Sequence, residues 1–172
     1  MTEHKVDTVA NVLEDNLTVT IQRWVARVEE LDELTLVPLT YQQRAHHLPR
    51  LMEELIARLR LPQDVLPPVS AAAHDHGRER YWQQYTIPML IEESRLLQIT
   101  ILGTLHRNEA RLDPGVLLSE AMIIADECAA QLRRTVLSYA GLESEESEKR
   151  QSDSPVYTGI KMTSSESAIR FQ

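Results

Sequence analysis

Apolar residues recur at helical spacing along most of the chain, and the interruptions in that pattern divide it into elements. Val6, Val9, Leu13, Leu17, Ile21, Trp24, Val28 and Leu31 stand three or four residues apart with polar residues between them, which predicts one long amphipathic helix with Trp24 as a core anchor. LTLVPLT breaks the stripe, and Thr40 with Gln43 forms a capping box that starts a second helix. Pro49 lies inside this helix and removes a backbone hydrogen bond, so the helix should kink or divide just after His47; Leu48, Leu51, Met52, Leu55, Ile56 and Leu59 then continue as a core stripe. LPQDVLPPV, from Leu61 to Val69, is a proline-rich connector that ends the first half. Ser70 caps a third helix running to about Gln84, and Thr86 caps a fourth with Pro88 in its first turn. That fourth helix, IPMLIEESRLLQITILGTL, is apolar on nearly every side and is expected at the centre.

Asp113 and Pro114 start a last helix in which Leu118, Ala121, Met122, Ala125, Cys128, Ala129, Leu132, Val136 and Tyr139 make a regular stripe, with Gly141 as its stop. Ala121, Ala125 and Ala129 allow a close helix approach, either within the bundle or across a homodimer. From Glu143 the composition turns acidic and serine-rich, too poor in large apolar groups to offset its ordering entropy, so disorder is expected. Val156, Tyr157, Ile160 and Met162 form a small apolar island there, read as stray tail residues or a partner contact. The fold class expected is all-α: a four- to five-helix bundle over residues 1–142 with a disordered tail over 143–172.

Composition narrows the class. With 42% hydrophobic and 26% charged residues the chain is an ordinary globular sequence, and 172 residues suffice to bury a core without disulfides or metal. A net charge of -8 and a pI near 5.2 argue against binding a phosphate backbone, so nucleic acid is not an expected partner. Cys128 is the only cysteine and lies among apolar neighbours; it reads as a small buried hydrophobe. The first residues lack the basic-then-apolar layout of a signal peptide, and no apolar run is long enough to span a bilayer, so a cytoplasmic protein with no membrane partner is expected.

One stretch runs against the pattern. In HDHGRERYWQQYTIPMLIEESRLL, from His74 to Leu97, His76, Gly77, Arg80 and Gln84 share the face of the third helix that ought to be apolar. Gly77 inside a helix costs roughly 1 kcal/mol against alanine, which points to a closely packed backbone or to something bound there. Glu93 interrupts the central helix, and Arg80 is its economical partner. The resulting ion pair reads first as a structural clamp and second as the wall of a ligand pocket. His46 and His47 point about 100° apart and read as a partly exposed turn. His74 and His76 face different sides of their helix. No metal site or cofactor is expected, and the absence of a phosphate loop, nucleophile elbow or paired-cysteine spacing points away from an enzyme.

The HG step followed by Arg80, a helix break, an apolar turn and then Glu93, Arg95 and Leu97 resembles the RsbRD N-terminal domain family, whose members are helical input domains of stressosome co-antagonists and bacterial sensor histidine kinases. LPRLMEEL at 48–55 and the Trp24 region extend the resemblance over most of residues 7–141. Ser94 and Gln98 stand where the family usually has an aromatic residue and often an arginine. The resemblance implies a non-enzymatic signal-input or protein-interaction module of a bacterial regulatory or stress pathway. It would act in trans on a kinase, regulator or stressosome-like component, with Leu97 joining His76, Gly77, Arg80, Gln84 and Glu93 in a signalling or ligand seam. Since histidine titrates near neutral pH, a seam histidine beside Arg80 and Glu93 could also work as a pH-dependent latch. The alternative is a histidine phosphotransfer protein using His76, with Gly77, Arg78 and Arg80 around it. An exposed His76 would favour phosphotransfer, a buried one the clamp.

Overall fold

The computed structural model describes residues 6–62 and 64–152. Its helices are α1 (Val9–Asp15), α2 (Leu17–Glu29), α3 (Asp32–Thr35), α4 (Tyr41–Ala45), α5 (Leu48–Arg60), α6 (Ala71–Trp82), α7 (Ile87–Arg107) and α8 (Pro114–Ser152), with a 3₁₀ turn at Glu109–Arg111. No strand occurs among the described residues; a single bridge joins Asp7 to Leu112. α6 lies along α8, α2 along α7 and α1 against α5, while α7 and α5 both also touch α8. Trp24, Leu13, Leu48, Leu55, Leu90, Ile101 and Ile124 are among the fully buried side chains that join these helices into one core.

The local signals that start the helices act as the sequence predicts. Thr40 Oγ1 accepts from Gln43 N at 3.3 Å while Gln43 Oε1 accepts from Thr40 N at 3.0 Å, closing the capping box. Ser70 Oγ accepts from Ala73 N at 2.9 Å, and Glu54 of α5 adds a second acceptor for the same helix end, taking Ala72 N at 3.1 Å. Thr86 Oγ1 accepts from Met89 N at 3.4 Å, with Pro88 in the first turn of α7. The chain divides at His46 and His47, ahead of Pro49 in the first turn of α5.

Three expectations need correction. The bundle has seven helices of five or more residues among those described, besides the four-residue α3, rather than four to five. The extra divisions have local causes: the first stripe breaks at Asn16, whose Nδ2 donates back to Val12 O at 2.8 Å, and Pro49 separates α4 from α5.

The tail expected to lose structure from Glu143 instead continues α8 through Gly141 to Ser152. Leu142 is buried, Arg150 pairs with Glu146 at 3.2 Å one turn away, and Ser144 and Ser147 return their hydroxyls to Ala140 O and Glu143 O. The remainder of the expected tail, with Val156, Tyr157, Ile160 and Met162, lies outside the described residues.

The stripe assigned to the core on α8 is also turned outward in part. Leu118 is 74% and Met122 67% exposed, whereas Ile124, Glu127, Cys128, Gln131, Thr135, Tyr139 and Leu142 face the bundle. Polar residues occupy this inward face because each finds a partner. Gln131 Nε2 donates to Leu51 O at 3.0 Å and Glu127 Oε1 at 3.2 Å, Thr135 Oγ1 to Ala73 O at 3.1 Å, and Tyr139 Oη to Tyr85 O at 2.7 Å.

Candidate functional site

Arg80 on α6 has no exposed surface and uses all five of its N–H donors. Nε donates to Glu93 Oε2 and Nη2 to Glu93 Oε1, each at 3.0 Å, a fork on the carboxylate of α7. The other Nη2 hydrogen goes to Arg44 O at 2.9 Å; Nη1 donates to Gln43 O at 3.2 Å and Gln83 Oε1 at 2.5 Å. The guanidinium also lies over the Tyr85 ring, 4.6 Å from its centroid. Thus one cation ties α4, α6 and α7 together. Glu93 is 2% exposed; burial pushes its carboxyl up from the ordinary value, and Arg80 pulls it back. Its backbone carbonyl accepts from Trp24 Nε1 at 3.1 Å, so the indole positions the same turn of α7 from α2.

His76, one turn before Arg80, places Nε2 3.6 Å from Glu93 Oε2. Its ring stacks on that of His47 with centroids 3.8 Å apart and planes 17° apart, and Trp24 meets His47 edge-on at 6.1 Å. Burial is the largest cause holding both imidazoles well below their usual pKa. The neighbouring Arg80 and His46 push His76 the same way, as His76, Arg80 and His46 do for His47. Both rings are therefore neutral at pH 7. Their Nδ1 atoms are buried with no hydrogen-bond partner within the described residues. Beside the rings is a cavity of about 30 Å³ bordered by Trp24, Leu48, Ser94, Leu97, Cys128 and Gln131, room for about two waters. At the outer edge, His46 Nε2 meets Glu79 Oε2 at 2.8 Å, where both are partly exposed.

Gly77 faces α8. A Cβ placed on it would lie 2.2 Å from Thr135 O and 3.0 Å from Ser138 Cβ, so the glycine is required by backbone contact between helices. The approach is fixed on either side by Thr135 Oγ1 to Ala73 O and by Ser138 Oγ to His74 O at 2.8 Å.

Of the seam read from the sequence, His76, Arg80 and Glu93 come together and Leu97 borders the cavity, while Gly77 packs instead against Thr135 and Ser138 of α8. Gln84 does not join them. α6 ends at Trp82, so Gln84 falls past the helix at φ 62°, exposed to solvent, and Gln83 makes the contact with Arg80 instead. His47, read as part of an exposed turn, is instead 6% exposed at the centre of the site.

Two further residues were missed. Arg44 is buried and donates to Tyr85 Oη at 3.0 Å, Leu34 O at 3.3 Å and Val37 O at 3.3 Å. Tyr85, 1% exposed, is held by that bond and by its own N–H to Arg80 O at 3.0 Å. Extending the α5 stripe Leu48, Leu51, Leu55 backward by three- and four-residue steps would have reached His47 and Arg44. Tyr85 lies between helices, where periodicity carries no signal.

Chemically, the site is a buried polar lock: a saturated cation with its buried carboxylate, the second cation Arg44 beside them, and two neutral imidazoles at the junction of α2, α4, α5, α6, α7 and α8. No group of three metal-ligating side chains is gathered among the described residues, and none of their helices is long and apolar enough to cross a membrane. No protein-family model, no curated protein and no solved structure matches the chain.

Proposed function

We propose that the chain is a non-enzymatic signal-input or protein-interaction module of a bacterial regulatory pathway, acting in trans on a kinase or regulator through changes in helix packing. The observation that carries this reading is the Arg80–Glu93 lock. A buried ion pair is costly to half-remove, so helices joined by one hold a defined arrangement until a proton, ligand or partner alters it. The stacked pair His47 and His76 is held neutral beside that lock by burial, so a proton forced onto either ring would work against the packing around it. The class itself rests on the residues that resemble the RsbRD N-terminal domain family, three of which, His76, Arg80 and Glu93, meet at this lock. A stress-response role and a cytoplasmic setting belong to the same proposal.

Phosphotransfer through His76 draws no support from the geometry. Its ring is 7% exposed and sandwiched between His47 and the Glu93 carboxylate, whose charge would repel a phosphoryl donor.

The test is crosslinking of the tagged chain in its native cells, comparing wild type with Glu93→Gln and His76→Gln variants that retain their helical content. A kinase or regulator captured by wild type and lost or gained in the variants supports the proposal. Capture of a kinase or regulator that does not change with either variant, or of metabolic enzymes alone, overturns it.

A further inference from the structure

α8 carries a second apolar face that the bundle covers only in part, through Leu132 at the cavity and Val136 against the core. Leu118, Met122, Ala125, Ala129, Leu132 and Val136 follow one another at steps of four, three, four, three and four residues, the heptad spacing of a coiled-coil seam. At 100° per residue this seam lies about 120° around the helix from the inward face centred on Ile124, Gln131 and Thr135. Its first two members are largely exposed, Ala129 is exposed, and Ala125, Leu132 and Val136 are half-buried. A 3.5-residue repeat fits another helix with the same repeat, and α8 itself has one.

We infer that this seam pairs with the α8 of a second copy of the chain, antiparallel, about a two-fold axis near Ala130. The flanking charges decide the orientation. Asp126 and Arg133 sit at equivalent flanking positions one heptad apart, both exposed, and neither makes an ion pair among the described residues. In a parallel pair these positions would face Ala121 and Cys128, neither of them an acidic or basic residue, and the acid-rich turns with Glu143, Glu145, Glu146 and Glu148 would lie side by side. In the antiparallel pair each Asp126 meets the Arg133 of the other copy, twice by symmetry. The same register sets Ala129 opposite Leu132 and Ala125 opposite Val136, small against large, and brings each acidic C-terminal stretch toward the positive N-terminal end of the opposing α8. The inference rests on the fold alone and stands apart from the signalling proposal.

Sedimentation equilibrium of the full chain tests it. The wild type should form a dimer, Met122→Glu and Ala129→Glu should be monomers with unchanged circular dichroism, and Asp126→Arg or Arg133→Asp alone should raise the dimer Kd by about tenfold or more. The double exchange Asp126→Arg with Arg133→Asp should restore it, because the two charges meet only in the antiparallel pair. A chain monomeric up to 100 µM or so, a dimer indifferent to Met122→Glu, or a double exchange no better than the single ones would overturn the inference.

Discussion

The imidazoles of His47 and His76 lie face to face, 3.8 Å between centroids, although their residues come from the start of α5 and the middle of α6. Stacked rings this close cannot both take a proton cheaply, and Arg80 and His46 add positive charge beside them, opposed by Glu93 at His76 and by Glu79 at His46. Their folded pKa values therefore lie well below 6.5, near which the unfolded chain titrates. Above pH 6.5 neither state binds these protons and their neutral burial is stable. As pH falls through 6.5 the unfolded state takes up protons that the folded state refuses, and stability declines by up to about 1.4 kcal/mol per pH unit for each histidine. Urea midpoints between pH 7.5 and 5.5 should fall in wild type and flatten when His47→Gln and His76→Gln are combined. Equal slopes in the two proteins would remove the histidines as the cause.

Glu93 should be the most sensitive position in the lock. Replacing it with alanine leaves the Arg80 cation in a dry site with two donors unpaired, a loss of about 3–5 kcal/mol. Changing both partners, Arg80→Met with Glu93→Leu, should recover only part of that, since Arg80 also satisfies Gln43 O and Arg44 O. Guanidinium chloride titrations of wild type and the two variants provide the comparison. A double variant weaker than Glu93→Ala would mean that the carbonyl contacts of Arg80, not the ion pair, dominate.

What the sequence made legible here was local. Caps at Thr40, Ser70 and Thr86 depend on residues three apart, the break before Leu48 on one proline, and the Arg80 to Glu93 pairing on there being few ways to satisfy a carboxylate in an apolar helix. What it concealed depended on which side of a helix meets which neighbour. His47 and Arg44 look like surface residues until α6 and α7 are laid against them. The α8 stripe was real as a pattern but divided between two destinations, because hydrogen bonds to α5 and α6 let Gln131 and Thr135 take inward positions that hydrophobicity would assign to Met122 and Leu118. Gln83 displaced Gln84 because α6 ends two residues earlier than its polar face suggests.

Gly77→Ala should destabilise the protein despite the better helix propensity of alanine. The gain is about 1 kcal/mol, while a methyl group 2.2 Å from the Thr135 carbonyl must push α6 from α8, for which overpacking costs of about 1–3 kcal/mol are usual and a clash with backbone lies at the high end. The separation would also stretch the Thr135 and Ser138 hydrogen bonds. Amide exchange should show α6 losing protection first. A variant as stable as wild type would mean that the two helices can slide apart without loss.

Gly141→Ala should act in the opposite direction, although both glycines lie within helices. A Cβ at Gly141 would meet nothing within 4 Å, the residue is exposed, and α8 continues through it to Ser152. The substitution removes backbone freedom from the unfolded chain and adds no contact in the folded one, a stabilisation of about 0.5–1 kcal/mol if the helix beyond it unfolds with the bundle. If instead residues 142–152 fray independently, alanine would increase helicity at 222 nm while leaving the denaturation midpoint unchanged. Circular dichroism and a urea titration of the same sample separate the two, and because Leu142 is buried against the bundle, the shift in midpoint is the outcome expected.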